Sequence, residues 1–286
     1  MTEAFTLVDN EKLLSQVCVQ LSNSTWLAVD TEFERVSTYY PELCLVQISN
    51  GIDTVVIDPL VINDPEPLFE LLYQKSITKV LHSARQDLEL FFNIKGVVLT
   101  PLYDTQIMAS ALGYAKGIGY GNLIKEALGI ELDKGHSRTD WKQRPLTEEQ
   151  LRYAADDVIH LGKVYEVFLK KSITIEDTTN VNDQLAVLLK PETYQPDPEN
   201  MWKKIRAARQ LNGKHLAVIK KLAAWREITA RNQNRPRKWI LPDHSLIDIA
   251  RQLPADKSDL LQIDKAGKKT VNRHGDTLLQ IITDVQ

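Results

Sequence analysis

Four carboxylates and one tyrosine are the residues best suited to chemistry: Asp30 and Glu32 in WLAVDTEFE, Asp87 in HSARQDLEL, and Tyr153 with Asp157 in LRYAADDV. Side chains two apart on a strand share a face, so Asp30 and Glu32 point together while Thr31 points away. A spacing of four on a helix puts Tyr153 and Asp157 on one face. Carboxylates held that close repel unless a cation lies between them. Oxygen-only donors select hard ions, so Mg²⁺ or Mn²⁺ is expected ahead of zinc. Two such ions about 3.5–4 Å apart can activate a water and stabilise the leaving oxygen of an in-line displacement at a phosphodiester, and four carboxylates suffice to hold both. A phenol with an ordinary pKa of about 10 is a poor base at neutral pH, so Tyr153 is expected to orient the attacking water. Each piece alone has a plainer reading: a solvated acidic strand edge, a surface helix pair, or an aspartate favouring a helix dipole. Their occurrence in order within a consistent α/β pattern argues for the site.

Short runs rich in Val, Ile and Leu at 26–33, 43–50, 53–60 and 79–84 predict strands, and Asn50-Gly51 predicts a hairpin turn, so the first three form an antiparallel meander. Helical patterns follow at 66–74, 85–93, 104–113, 120–129 and 147–170. Asp104 is placed as an N-cap, and Thr147 with Gln150 as a capping box. The pattern predicts an α/β domain, a mixed sheet covered by helices. The proline-containing stretch KPETYQPDPEN at 190–200 is the expected linker, and helices are expected at 201–211, 214–230, 244–253 and 274–285.

The chain has 286 residues and a formal charge of −3. That total conceals a division: residues 1–200 carry 17 Lys and Arg against 30 Asp and Glu, and residues 201–286 carry 18 against 8. An acidic metal-binding part and a basic polyanion-binding part is the simplest interpretation, with a solvated basic surface as the alternative. The amino terminus has no secretory pattern and no apolar run is long enough to span a bilayer, so no membrane association is expected. Two cysteines far apart, Cys18 and Cys44, suit a reducing, cytoplasmic setting.

The three motifs together resemble those of the ribonuclease D family, DEDD-type 3′–5′ exonucleases of the tyrosine subtype. DTEFE matches the first motif, HSARQDLEL the second and YAADDV the third, and DW…RPL…Q at 140–150 is typical of what precedes the third. The resemblance covers about residues 5–170 and implies a ribonuclease H-like fold. It implies Asp30, Glu32, Asp87 and Asp157 as ligands of two divalent cations, and Tyr153 as the residue that positions the water. The histidine subtype would have His at position 152, where this chain has Arg152. Asp157 is preferred to Asp156 on both helix face and motif. His82 reads as a strand-end support for the site; with Thr31, Phe33, Gln47 and Tyr120 it is also a candidate contact for the terminal nucleotides. For these residues a packing role is the competing expectation.

The carboxy-terminal part, with WREITARNQNRPRKWILPD as its most characteristic stretch, resembles an HRDC module, which in its family binds nucleic acid or mediates protein contacts. Lys214, Lys220, Lys221, Arg231, Arg235, Arg237 and Lys238 are its candidate phosphate contacts, while Trp225 and Trp239 are expected to pack between helices. The expected organisation is an exonuclease domain at 1–172, a linker at 173–204 and an HRDC-like domain at 205–286. The resemblance implies a 3′–5′ exoribonuclease acting on RNA with a single-stranded 3′ end, such as tRNA precursors, with no obligate protein partner. A free-standing DNA exonuclease and a silent RNA-binding scaffold are the alternatives.

Overall fold

The alternation of Val, Ile and Leu in the early runs gives each strand two apolar faces, and a computed structural model, describing residues 3–132, 139–173, 178–263 and 266–285, shows both faces covered. The chain divides into two units, one of Met1–Glu34 and Glu42–Tyr194, the other of Arg35–Pro41 and Gln195–Gln286.

Among the described residues the first unit is built on a six-stranded sheet of β1 (Thr6–Val8), β2 (Trp26–Glu34), β3 (Glu42–Ser49), β4 (Thr54–Ile57), β5 (Thr78–Leu81) and β6 (Leu102–Asp104). Their spatial order is β1-β4-β3-β2-β5-β6. The meander β2-β3-β4 is antiparallel, whereas β1 joins β4, β5 joins β2 and β6 joins β5 in parallel. The three-residue edge strands β1 and β6 are too short to leave an alternation in the sequence. The helix α1 (Glu11–Leu21) also escapes a strand-minded reading, although Asn10 caps it through Leu13 N–H.

One sheet face, carrying Leu27, Val29, Val46, Ile48, Val55 and Ile57, packs on α1, α2 (Glu66–Leu72) and α3 (Arg85–Lys95). The other face, carrying Ala28, Leu45, Val56 and Val80, is roofed by the long α6 (Glu148–Ser172) through Ala154, Ala155, Val158, Ile159 and Leu161. Small residues let α6 lie close. At Gly162 an added Cβ would sit 3.1 Å from the Trp26 ring at the start of β2. The expected capping box fixes the other end of α6, with Gln150 N–H donating to Thr147 Oγ1 at 3.2 Å and Thr147 N–H to Gln150 Oε1 at 2.7 Å. Helices α4 (Thr105–Ala111) and α5 (Tyr120–Leu128) pack on the distal half of α6 at Val164 and Phe168.

The proline-containing stretch is ordered. After α7 (Thr179–Leu188), 3₁₀ turns run over Pro191–Thr193, Pro198–Lys204 and Arg206–Gln210. The last two replace the α-helix expected at 201–211. Pro191 and Pro198 start their turns, where a missing N–H costs nothing and a fixed φ suits the geometry. Residues 174–177 of the expected linker lie outside the described residues.

The second unit is helical: α8 (Gly213–Asn232), α9 (Arg237–Ile240), α10 (Asp243–Gln252), α11 (Lys257–Gln262) and α12 (Lys268–Thr283) enclose a core that includes Val218, Leu222, Leu246, Ile249, Leu260 and Leu278. At its centre Glu227, fully buried, accepts hydrogen bonds from Arg231 Nη2 at 2.9 Å and from the Tyr39 hydroxyl, and pairs with Arg237. Arg231 and Arg237 also lie over the Tyr39 ring, at 5.9 and 5.4 Å from its centroid. A carboxylate removed from water needs such partners.

In the first unit Lys79 of β5 is fully buried, and its ammonium donates to the carbonyls of Gln74, Ile77 and Thr100 at 2.7, 2.6 and 2.7 Å. All three donors are used, tying the β5 approach to the β6 approach. Lys79→Met is expected to lower unfolding free energy by about 2–4 kcal/mol in urea titrations, because hydrogen bonds from a charged group are lost and buried carbonyls are left short.

Candidate active site

Asp30 and Glu32 sit at the carboxy-terminal half of β2, on the face roofed by α6, and Asp157 descends from α6 to meet them. Among the described residues the carboxylate oxygens of these three lie within 4.8 Å of one another. Asp87 stands outside that triad. It is buried in the first turn of α3, where its Oδ1 accepts a 2.5 Å hydrogen bond from Thr31 Oγ1. It is near enough for its charge to act on Glu32.

Asp156 is accounted for elsewhere, paired with Arg152 one turn back on α6. Thus Arg152 does not replace a catalytic histidine but holds the neighbouring aspartate away. Tyr153 hydrogen-bonds to the Asp157 carboxylate. Its ring lies 6.2 Å from that of Trp141. Trp141 belongs to a segment that Arg144 fastens to the sheet, by 2.5 and 2.8 Å bonds to Asp58 and a 2.9 Å bond to the Cys44 carbonyl. The DW…RPL run is therefore the brace behind the tyrosine, a role that the sequence pattern locates but does not explain.

A second brace lies at the β5–α3 turn. Ser83 adopts φ 58°, a left-handed backbone that a side chain disfavours. The turn is held because the N–H groups of Ser83 and Ala84 donate to the Asp104 carboxylate at 3.2 and 2.9 Å. The same carboxylate caps α4 through Gln106 N–H at 2.8 Å. Asp104 thus sets the entry of α3, and with it Asp87, besides acting as the expected N-cap.

The remaining candidates divide. Thr31, His82 and Tyr120 line a cavity of about 220 Å³ with Asp30, Glu32, Tyr153, Asp157 and Leu161. The hydroxyl of Thr31 donates to Asp87, and that of Tyr120 donates to the Asp157 carbonyl, so both are engaged by the acidic residues rather than offering a polar group to a substrate. His82 packs on Tyr120 with ring centroids 5.4 Å apart and meets Thr105 Oγ1 at 3.0 Å, the supporting place expected of it. Phe33 is half-buried and does not line this cavity, and Gln47 is fully buried in β3, out of reach of a nucleotide at the surface.

In the second unit Lys214, Arg235 and Lys238 are exposed. Arg231 and Arg237, both partly exposed, are engaged by the buried Glu227 carboxylate and lie against Tyr39. Trp225 packs as expected, edge-on to His274 at 5.2 Å. Trp239 does not pack between helices but is 58% exposed, because the four-residue α9 turns Ile240 inward instead.

The electrostatics of the acidic group are those of a site built for cations. Burial, and then the charge of Asp157, raises the Asp30 carboxyl to about 8. Burial and the charges of Asp30, Asp157 and Asp87 raise Glu32 to about 9. Asp87 rises to about 7 through burial and Asp30, against the Thr31 hydrogen bond, and Asp157 to about 7 through burial and Asp156, against the Tyr153 hydrogen bond. Hard, all-oxygen donors that repel one another fit a divalent cation. Burial and the charges of Asp157, Glu32 and Asp30 push the Tyr153 phenol above its ordinary range, so it stays protonated and donates to Asp157.

Comparison with known proteins agrees with this geometry. Residues 5–173 match the model of a 3′–5′ exonuclease family and residues 215–282 that of the HRDC domain. Ribonuclease D of Pseudomonas paraeruginosa is 40% identical over 277 residues, covering 97% of this chain and 73% of its own length. The chain belongs to the ribonuclease D family. Ribonuclease D of Bartonella henselae is 42% identical over 87% of this chain and 61% of its own length. The crystal structure of Escherichia coli RNase D, described as an exoribonuclease involved in structured RNA processing, superimposes with a TM-score of 0.90 at 33% identity, covering 99% of this chain and 76% of that one. The catalytic core of RRP6 from Trypanosoma brucei follows at a TM-score of 0.74 and 26% identity, covering 99% and 80%. As a member of the ribonuclease D family the chain is a 3′–5′ exoribonuclease, with an α/β catalytic part and a helical HRDC part. No helix among the described residues is long and apolar enough to cross a membrane.

The raised carboxyls set the sign of a pH effect. Between their unfolded values, about 4, and the folded values of about 7–9, the folded metal-free protein holds protons that the unfolded chain has lost, so its stability falls as pH rises. A cation binds the ionised group and offsets that repulsion. The rise in Tm on adding Mg²⁺ is therefore expected to be larger at pH 8.5 than at pH 6, measured by calorimetry in paired samples; an increment independent of pH would contradict the assignment.

Proposed function

We propose that this chain removes nucleotides one at a time from single-stranded 3′ ends of RNA, with tRNA precursors and other structured RNAs as its substrates, and that Asp30, Glu32, Asp87 and Asp157 hold two divalent cations, Mg²⁺ or Mn²⁺. The observation that carries this is the convergence of Asp30, Glu32 and Asp157 within 4.8 Å beneath a tyrosine hydrogen-bonded to Asp157. Bound divalent cations supply Lewis acidity for the attacking water and for the departing 3′-oxygen. The chain's own part is positional. Tyr153, protonated and braced by Trp141, donates to Asp157, and its oxygen can accept from the water that attacks phosphorus. Thr31 fixes the rotamer of Asp87, and Tyr120 fixes the α6 backbone at Asp157. Attack by water with the 3′-oxygen leaving releases nucleoside 5′-monophosphates. A cytoplasmic setting suits the free, buried thiols of Cys18 and Cys44, both raised to about 11 by burial.

The basic unit is proposed to bind single-stranded RNA. Its exposed cations Lys214, Arg235 and Lys238 accompany an exposed indole, Trp239, suited to stacking an unpaired base.

Asp157→Asn is expected to abolish release of 5′-monophosphates from a 3′-extended tRNA transcript in Mg²⁺ while Tm stays within a few degrees of the parent. Tyr153→Phe should lower turnover by about 10²–10⁴-fold, the range for a group acting on the transferred proton's geometry, with Mn²⁺ binding retained. Near-normal turnover in either variant would refute its role. Matched DNA oligonucleotides in the same assay separate RNA from DNA preference. Trp239→Ala is expected to weaken binding of a single-stranded RNA about fivefold or more in fluorescence anisotropy, with Tm unchanged.

A further inference from the structure

Gln47 lies at the middle of β3, fully buried, and neither its amide nitrogen nor its amide oxygen meets a hydrogen-bonding partner among the described residues. Buried side-chain amides are nearly always paired, so an orphan of this kind calls for a partner that is not within bonding distance in this structure. The register says where that partner is. Gln47 stands directly across from Asp30 on β2 and from Val56 on β4. Directly opposed side chains have Cβ atoms about 4.5–5.5 Å apart on the same face. That face carries Leu45 and Ser49 along the strand and is roofed by Ala154, Ala155 and Ile159. Leu45, Val56 and the α6 residues offer no polar side-chain atom. Ser49 is already occupied, its Oγ accepting from Thr54 Oγ1 at 3.0 Å and from Gly51 N–H at 3.2 Å. Asp30 is the charge directly opposite Gln47; Glu32 and Asp58 stand diagonal to it, and Asp58 is paired with Arg144.

We propose that Gln47 is a positioning residue of the metal centre: its buried amide, unpaired in this structure, donates to the Asp30 carboxylate when that carboxylate turns to bind a cation. This rests on the reading of Asp30, Glu32 and Asp157 as a cation site. Gln47 touches neither substrate nor the reacting atoms. It acts through Asp30, as the groups behind metal ligands commonly do, where their loss costs about 10–100-fold in metal affinity. A solvent-facing glutamine would be replaceable here, whereas one sealed between sheet and helix has a fixed direction.

The test uses the full chain, freed of metal by EDTA and dialysis, with Mn²⁺ alone as the probe. Gln47→Met keeps the length and apolar volume and removes both polar atoms. Its metal-free Tm is expected to equal or exceed that of the parent, since an orphaned polar group is gone, while its Mn²⁺ affinity by titration calorimetry falls about tenfold or more. These opposite signs are not those of a packing residue, whose loss would move Tm and leave affinity alone. Unchanged Mn²⁺ affinity in a folded Gln47→Met protein overturns the proposal. If that variant does not fold, ¹⁵N spectra of the parent decide: the Gln47 side-chain NH₂ pair should shift on Mg²⁺ addition, and an unmoved pair overturns the proposal. A parent that binds neither ion overturns both this inference and the cation site itself, whereas a parent that binds normally beside an equally competent variant overturns only the role of Gln47.

Discussion

Mutual repulsion among carboxylates that the fold partly withdraws from water is the constraint on which the rest of the structure turns. Asp30 and Glu32 have no choice of direction, because a strand puts both on one face. Asp157 is driven toward them because α6 must lie close on the sheet, with Ala154, Ala155 and Gly162 where larger residues would hold it off. Apolar burial along α6 supplies the energy that holds like charges together. The cost reappears as carboxyl groups raised well above their ordinary range, and a bound divalent cation is what relieves it.

Because that arrangement opposes itself electrostatically, two of its carboxylates have partners that keep them from turning aside. Thr31 holds Asp87, Tyr153 holds the Asp157 carboxylate, and Tyr120 holds the backbone that carries it. Behind these lie Trp141, Arg144 and Asp104, none of which faces the cavity. The site is a shell of hydrogen bonds built outward from three oxygens, and its outer members matter for stiffness more than for charge.

Much of this was legible in the residues. The spacing of Asp30 with Glu32 and of Tyr153 with Asp157 depends only on strand and helix periods, and both pairs fall on the faces those periods require. The meander, the Thr147 capping box and the Asp104 cap rest on equally local rules. What was not legible depends on tertiary pairing. The edge strands β1 and β6 are three residues long and exist only because a neighbour pairs with them. The HRDC resemblance groups Arg231 and Arg237 with the other basic candidates, yet both pair with Glu227, a carboxylate whose burial no local pattern reveals. Trp239 was expected inside on hydrophobicity and lies outside because α9 is a single turn that commits Ile240 to the interior. Residues Arg35–Pro41, although they leave β2 directly, belong to the helical unit, anchored there by Tyr39 and by Asn234, whose Oδ1 accepts from the N–H groups of Tyr39 and Tyr40 at 3.1 Å.

In the proposed mechanism the Asp30–Glu32–Asp157 group, with Asp87 beside it, holds divalent cations for hydrolysis from the 3′ end. The most direct measurement is digestion of a 5′-labelled single-stranded RNA in Mn²⁺, with and without excess EDTA, resolved to single nucleotides. The expected result is a ladder that shortens one nucleotide at a time from the 3′ end and stops on chelation. Release of the 5′ label first, or an undiminished ladder in EDTA, would contradict it.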